Sequence, residues 1–199
     1  MTPYEILVTP FTVWLAPVGT AFPVVTAEPS SPWFKLGTNG NRNYEEGGVT
    51  VAHSRSFNKI RTAGATGPIK ASLTEEDVMV RLTLLDMTLE QYTYALNNNT
   101  VTTTAAGSGT AGTKKIGLSE GVNATREFAL LARGISAYDE AMVAQYELGR
   151  VFSSGNAEPV FRKGEPAALA LEFTALELAS ATAEERLGRF IEQHQAPLE

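Results

Sequence analysis

Four stretches of this chain alternate apolar and polar residues with a period of two. Ile69, Ala71 and Leu73 alternate with Lys70, Ser72 and Thr74, and Val78, Val80, Leu82 and Leu84 alternate around Arg81 and Thr83. Met142, Ala144, Tyr146 and Leu148 stand against Val143, Gln145 and Glu147; Leu169, Leu171, Phe173 and Ala175 stand against Ala170, Glu172 and Thr174. Such a period places each apolar set on one face of a strand, so the chain must build sheets with a covered face. Shorter strand candidates lie at 33–37, 114–118, 127–133 and 160–163, with turns at 38–48 and 164–166. Residues 4–16, interrupted by Pro10, read as an edge strand or two short strands around a bend. Helical spacing is clearest at Leu89, Tyr92, Thr93 and Leu96, preceded by the capping-box pair Thr88 and Gln91 and ended by Asn97, Asn98 and Asn99. In the tail, Thr182 and Glu185 fit the cap of a short helix carrying Leu187, Phe190 and Ile191, although Gly188 costs it about 1 kcal/mol. Many short strands, few helices and regular turns predict a mainly β protein, an antiparallel β-sandwich or barrel with one flanking α-helix and extended arms and loops.

At 199 residues the chain is long enough for a single domain with arms. Residues 48–98 form its organising segment: strand, then strand or long basic loop, turn, two strands and helix. Glu75, Glu76 and Asp77 read as the hairpin connection between the last two of those strands. The Gly64–Pro68 stretch has turn chemistry, and residues 100–113 are a Thr/Gly/Ser-rich loop or hairpin tip. Residues 17–32, with four prolines, and the arm at 180–199 are too irregular or too polar for the domain's own core, and are expected to be ordered by neighbouring subunits.

Charge is distributed unevenly. Residues 48–73 contain Arg55, Lys59, Arg61 and Lys70 and no acidic group, whereas the whole chain is net −6. Phe57 and Ile60 lie among those cations. Arg55, Phe57, Lys59, Ile60, Arg61 and Lys70 are therefore the candidate subunit interface, a basic plug meeting acidic surface on another copy. Net negative charge argues against gripping nucleic acid through its phosphates.

Enzyme chemistry finds no constellation. Cysteine is absent, which removes disulfides, thiolate catalysis and zinc–thiolate sites and suits a reducing cytoplasm. His53 shares a strand face with Val49 and Val51 and is expected at a packed or interface edge; His194 lies in a polar tail. Ser56-x-x-Lys59 lacks the SDN and KTG elements that accompany a nucleophilic serine, and residues 64–70 lack the GxxxxGK[ST] spacing that cradles phosphate. The adjacent pairs Glu45/Glu46 and Glu184/Glu185 would point to opposite strand faces. No catalytic residue, cofactor or metal site is expected. No apolar run reaches the ~20 residues of a membrane helix, and the N-terminus lacks a signal-peptide pattern.

Seven stretches, in order, carry a resemblance across nearly the whole chain: WLAPVGTAFP at 14–23, WFKLG at 33–37, EEGGVTV at 45–51, TGPIK at 66–70, LLDMTLEQYTYAL at 84–96, FRKGE at 161–165 and LALEFTALEL at 169–178. Together they resemble siphophage tail tube proteins, also called major tail proteins, with relatives in gene transfer agents. The resemblance implies one tail tube domain over 1–199, with an N-terminal strand and Pro-rich arm at 1–32, core strands, basic loop and helix at 48–98 and a C-terminal arm at 180–199. It implies a homo-oligomer of stacked hexameric rings forming a tube lined by a continuous barrel of strands. The implied partners are the tape-measure protein enclosed during assembly, the tail terminator and distal tail proteins, and double-stranded DNA in transit without sequence-specific binding. Localisation would be the virion tail after assembly in the host cytoplasm, with no membrane involved. Two rivals are a tail terminator, forming rings that do not stack, and a host-surface or carbohydrate-binding sandwich, which would present an exposed aromatic platform.

Overall fold

The computed structural model describes residues 9–96, 99–122, 125–135 and 142–193. The protein is mainly β, and among the described residues all strand pairing is antiparallel and there is one short α-helix. In chain order the strands are β1 (Thr12–Pro17), β2 (Phe34–Lys35), β3 (Tyr44–Ile60), β4 (Lys70–Leu84), β5 (Val101–Thr104), β6 (Thr113–Ile116), β7 (Glu127–Ile135), β8 (Val143–Ser153), β9 (Val160–Arg162), β10 (Glu165–Ala175) and β11 (Arg189–Glu192). The helix, α1 (Leu89–Tyr92), lies between β4 and β5, and a 3-10 turn, Gly40–Asn43, precedes β3. The main sheet runs β2-β1-β7-β8-β10-β4-β3, with β11 also on β8 and β9 also on β10, while β5 and β6 form a separate hairpin. The sheet is open: β2 and β3 stand at its two ends.

Register explains the core. Residues directly opposite across an antiparallel pair share a face. Leu169, Leu171 and Phe173 of β10 oppose Leu84, Leu82 and Val80 of β4, so apolar meets apolar on the inner side. On the outer side Glu172 opposes Arg81 and accepts a hydrogen bond from its guanidinium, which holds the Glu172 carboxyl below its ordinary range. Strand β8 forks. Its residues 144–147 pair with β11 and its residues 151–153 with β10, along the same edge. Inward residues of β1, β7 and β8 (Val13, Leu15, Leu130, Leu148) join those of β4 and β10 in one cluster. Tyr44 fastens the start of β3 to it. Its buried hydroxyl accepts from Val13 N and donates to Leu36 O, both at 3.0 Å, and burial pushes its pKa upward. Tyr44→Phe strands both backbone partners and is expected to cost about 1–3 kcal/mol in urea unfolding, with no change in the far-ultraviolet spectrum.

The described parts of both arms, residues 17–32 and 180–193, make contacts with the chain's own body. Strand β7 is apolar on both faces: Phe128, Leu130 and Ala132 enter the main core, while Ala129 and Leu131 form a second cluster with Ala16 and Trp33. A strand with two apolar faces needs two covers. The β1–β2 connection supplies the outer one, with Phe22 against Trp33 at 5.2 Å between ring centroids and the Trp33 indole donating to Ala21 O. A buried polar chain continues this cover. Arg133 donates to Ala27 O at 2.6 Å, Gln145 donates to Pro23 O and to Glu147, and Arg189 donates to Glu147 at 2.7 Å. Burial lowers the pKa of Arg133, whereas the Glu147 hydrogen bond raises that of Arg189. Prolines and charges in the arms hide, in the sequence, how many polar partners the outer face of β8 offers them.

Two local expectations change, for the tail and for the length of the helix. The tail forms strand β11 rather than a helix: Gly188 has φ +136°, and a Cβ there would lie 2.7 Å from Glu147 O, so the residue is set by close approach to β8. Phe190 then stacks on Tyr146 at 4.4 Å. Helix α1 starts where the capping pattern put it, with Thr88 Oγ1 accepting from Gln91 N at 3.2 Å, but it spans only four residues. Gln91 turns its side-chain oxygen to Gly37 N instead of closing the box. Beyond it, bonds from Tyr94 N to Gln91 O and from Ala95 N to Tyr92 O tighten the turn, and Tyr94 stacks on Phe34. Of the two readings of 100–113, loop or hairpin tip, the structure shows the second: the stretch pairs as the β5–β6 hairpin with its tip at Gly107 and Thr110. Asn97, Asn98 and His194 lie outside the described residues.

Candidate assembly interface

The 17-residue strand β3 and the 15-residue strand β4 are longer than any other and pair as a hairpin. Only the half nearest Val49 and Leu84 touches the core. From His53 outward on β3 and back to Asp77 on β4, every position is exposed, so the tip projects beyond the body. Of the two readings of residues 55–61, strand or long basic loop, the structure shows strand over 55–60, which continue β3 without interruption. One expectation is corrected here. Glu75, Glu76 and Asp77 were read as a hairpin connection; they sit inside β4, opposite Ser56, Arg55 and Ser54. A register shift between Ser56 and Phe57 leaves Thr74 as an extra residue on β4. Thr74 Oγ1 donates to Ser56 O and anchors that irregularity, so pairing continues where local composition suggested a turn.

The structure places all six candidate residues on this hairpin, but not on one face. Phe57 opposes Leu73 and Lys59 opposes Ala71, and Arg55 shares the face of Phe57, its guanidinium 5.9 Å over that ring. Ile60 opposes Lys70 on the other face. Arg61 lies just past β3 and donates to Thr66 O across the turn. Phe57, Ile60, Ile69 and Leu73 are 49, 46, 60 and 48% exposed, a large apolar area for so narrow an element. Arg55, Lys59, Arg61 and Lys70 make no ion pair among the described residues.

Ser56 and Lys59 are three apart in a strand and therefore point to opposite faces, which dissolves the nucleophile motif. His53 is exposed and stands 2.6 Å from Glu76 Oε1, with Val78 opposite. Among the described residues no three His, Cys, Asp or Glu side chains are placed to hold a metal ion, and no helix is long and apolar enough to cross a membrane.

Sequence reasoning did not find the cleft beside the hairpin. About 820 Å³ in volume, it lies between the inner face of the hairpin base and the segment before β11. Val51, Leu73, Val78, Tyr146, Leu187 and Phe190 supply its apolar lining. Its signal was present as the apolar face of the tail, but the tail's pairing with β8 is nonlocal. Searches for similarity add nothing to this geometry: no family model matches the chain, and no curated protein matches it.

Proposed function

We propose that the protein is a structural subunit, without catalytic activity, of the tail tube of a siphophage or a phage-like particle. Copies form hexameric rings, and rings stack into a tube that encloses the tape-measure protein during assembly and later conducts double-stranded DNA. The observation that carries the reading is the β3–β4 hairpin, whose distal half extends past its own core with exposed apolar side chains and unpaired cations. A lone domain gains nothing from such an element; a subunit gains a contact. Strand β3 also ends the sheet, and a long unpaired strand edge is a template for another chain. In this reading the two halves of the main sheet, joined at the β8–β10 fork, are the two layers of a tail-tube sandwich, and assembly joins neighbouring edges into a continuous barrel. The remainder of the chain is acidic, which suits a lumen that must let phosphate pass without holding it. Terminator and distal tail proteins would cap the tube, which belongs to the virion after assembly in the host cytoplasm.

Negative-stain electron microscopy of the purified chain over a rising concentration series tests this directly. Rings and short stacked tubes are expected. Rings that never stack would move the assignment to a tail terminator, and a monomer at every concentration would overturn self-assembly altogether.

A further inference from the structure

The hairpin tip is basic and apolar; the cleft at the base of the same hairpin is apolar and acid-rimmed. Four glutamates line the cleft, Glu75, Glu76, Glu177 and Glu184, against Arg186 and Arg189. Both arginines are engaged, Arg186 with Glu177 at 2.6 Å and Arg189 with Glu147 at 2.7 Å, and His53 stands against Glu76. Glu75 and Glu184 have no ion-pair partner among the described residues. The floor offers Val51, Val78, Tyr146, Leu187 and Phe190. At about 820 Å³ the space is of the size that seats several side chains.

We propose that this cleft receives the hairpin tip, residues 59–70, of a second copy of the chain. The inference rests on the reading of the protein as a self-assembling subunit and assigns that subunit's socket. Ile60 and Ile69 would enter over the apolar floor, and Lys59, Arg61 and Lys70 would meet Glu75, Glu184 and the rest of the acidic rim. A molecule cannot fill its own cleft, because the base of its hairpin is one wall. Leu73, at the outer end of the cleft, opposes Phe57, and three further residues of extended strand, roughly 10 Å at ~3.3 Å per residue, carry the tip beyond it. Tip and cleft are different surfaces, so the contact can run head-to-tail, as a subunit ring requires, and then closes into a ring or continues as a filament.

The absence of cysteine makes a clean test possible. A photoreactive benzophenone is attached at Ile69→Cys, an exposed position, and the full chain is irradiated at a concentration where sedimentation shows association. Intermolecular cross-links are expected in the tryptic peptides that contain residues 176–190 or Tyr146. The variant Glu75→Lys with Glu184→Lys should lose those cross-links and weaken association by about tenfold or more, and adding Lys59→Glu with Lys70→Glu should restore both. Association with cross-links elsewhere, or an acidic-rim variant that associates like the parent, would overturn the socket and leave the structural-subunit reading standing. A parent chain that never associates would overturn both.

Discussion

Replacing Arg55 and Arg61 together by glutamate is expected to abolish assembly into rings and tubes while leaving a folded monomer. Both side chains are on the projecting hairpin, and neither takes part in an intrachain ion pair among the described residues. Glutamate at position 55 would face Glu76 across the strands, a like-charge pair that costs about 0.2–1 kcal/mol locally and leaves the core untouched. Exposed ion pairs contribute only ~0–1 kcal/mol each, so the cations act mainly on register and partner choice. Reversing two per copy changes an attraction into a repulsion at every contact of a ring, which is why the effect is all or none. The competing assignment puts these cations in the lumen. A ring of such groups would bind passing phosphates tightly and with steep salt dependence, a poor property for a conduit. Circular dichroism and electron microscopy of the double variant separate the two. Normal tubes that fail in DNA delivery would place the cations in the lumen.

Glu147→Ala is expected to cost about 3 kcal/mol, read in urea unfolding, with a fall in Tm of roughly 6–12 °C. Glu147 is 2% exposed and accepts from both Gln145 and Arg189, so its removal leaves two donors without their acceptor at the seam of β8 and β11. The cost lies at the lower end for a broken buried pair because Arg189 is half exposed and can return to water. Loosening should be local first: faster tryptic cleavage at Arg186 and Arg189, with β4 and β10 still protected. Glu147→Gln keeps an acceptor and should recover part of the loss. If the alanine variant unfolded like the parent, the buried polar chain would not be what holds the tail.

What the sequence determined by itself follows from local periodicity. The alternations from Val78 to Leu84 in β4 and along β10 are read correctly because one face of each is buried and the other is wetter, so period two survives in composition, whereas Ile69, Ala71 and Leu73 alternate on a part of the hairpin exposed on both faces. Thr88 marks the helix start because a cap is a contact within four residues. The candidate interface residues could be singled out because unbalanced charge is visible without a fold, but whether they shared a face could not be known before register was set. Tertiary structure decided what depends on distant partners. Residues 55–60 are strand, and Glu75, Glu76 and Asp77 lie within a strand, because each is paired along the other; alone, the acidic trio has the composition of a turn. Gln145 and Glu147 look like the solvent face of β8 and are buried, since Arg133, Arg189 and the Pro23 carbonyl of the β1–β2 connection satisfy them from far along the chain. The tail has helical spacing and forms a strand for the same reason: the free energy of burying Phe190 on Tyr146 and pairing Arg189 with Glu147 outweighs a weak local preference already reduced by Gly188.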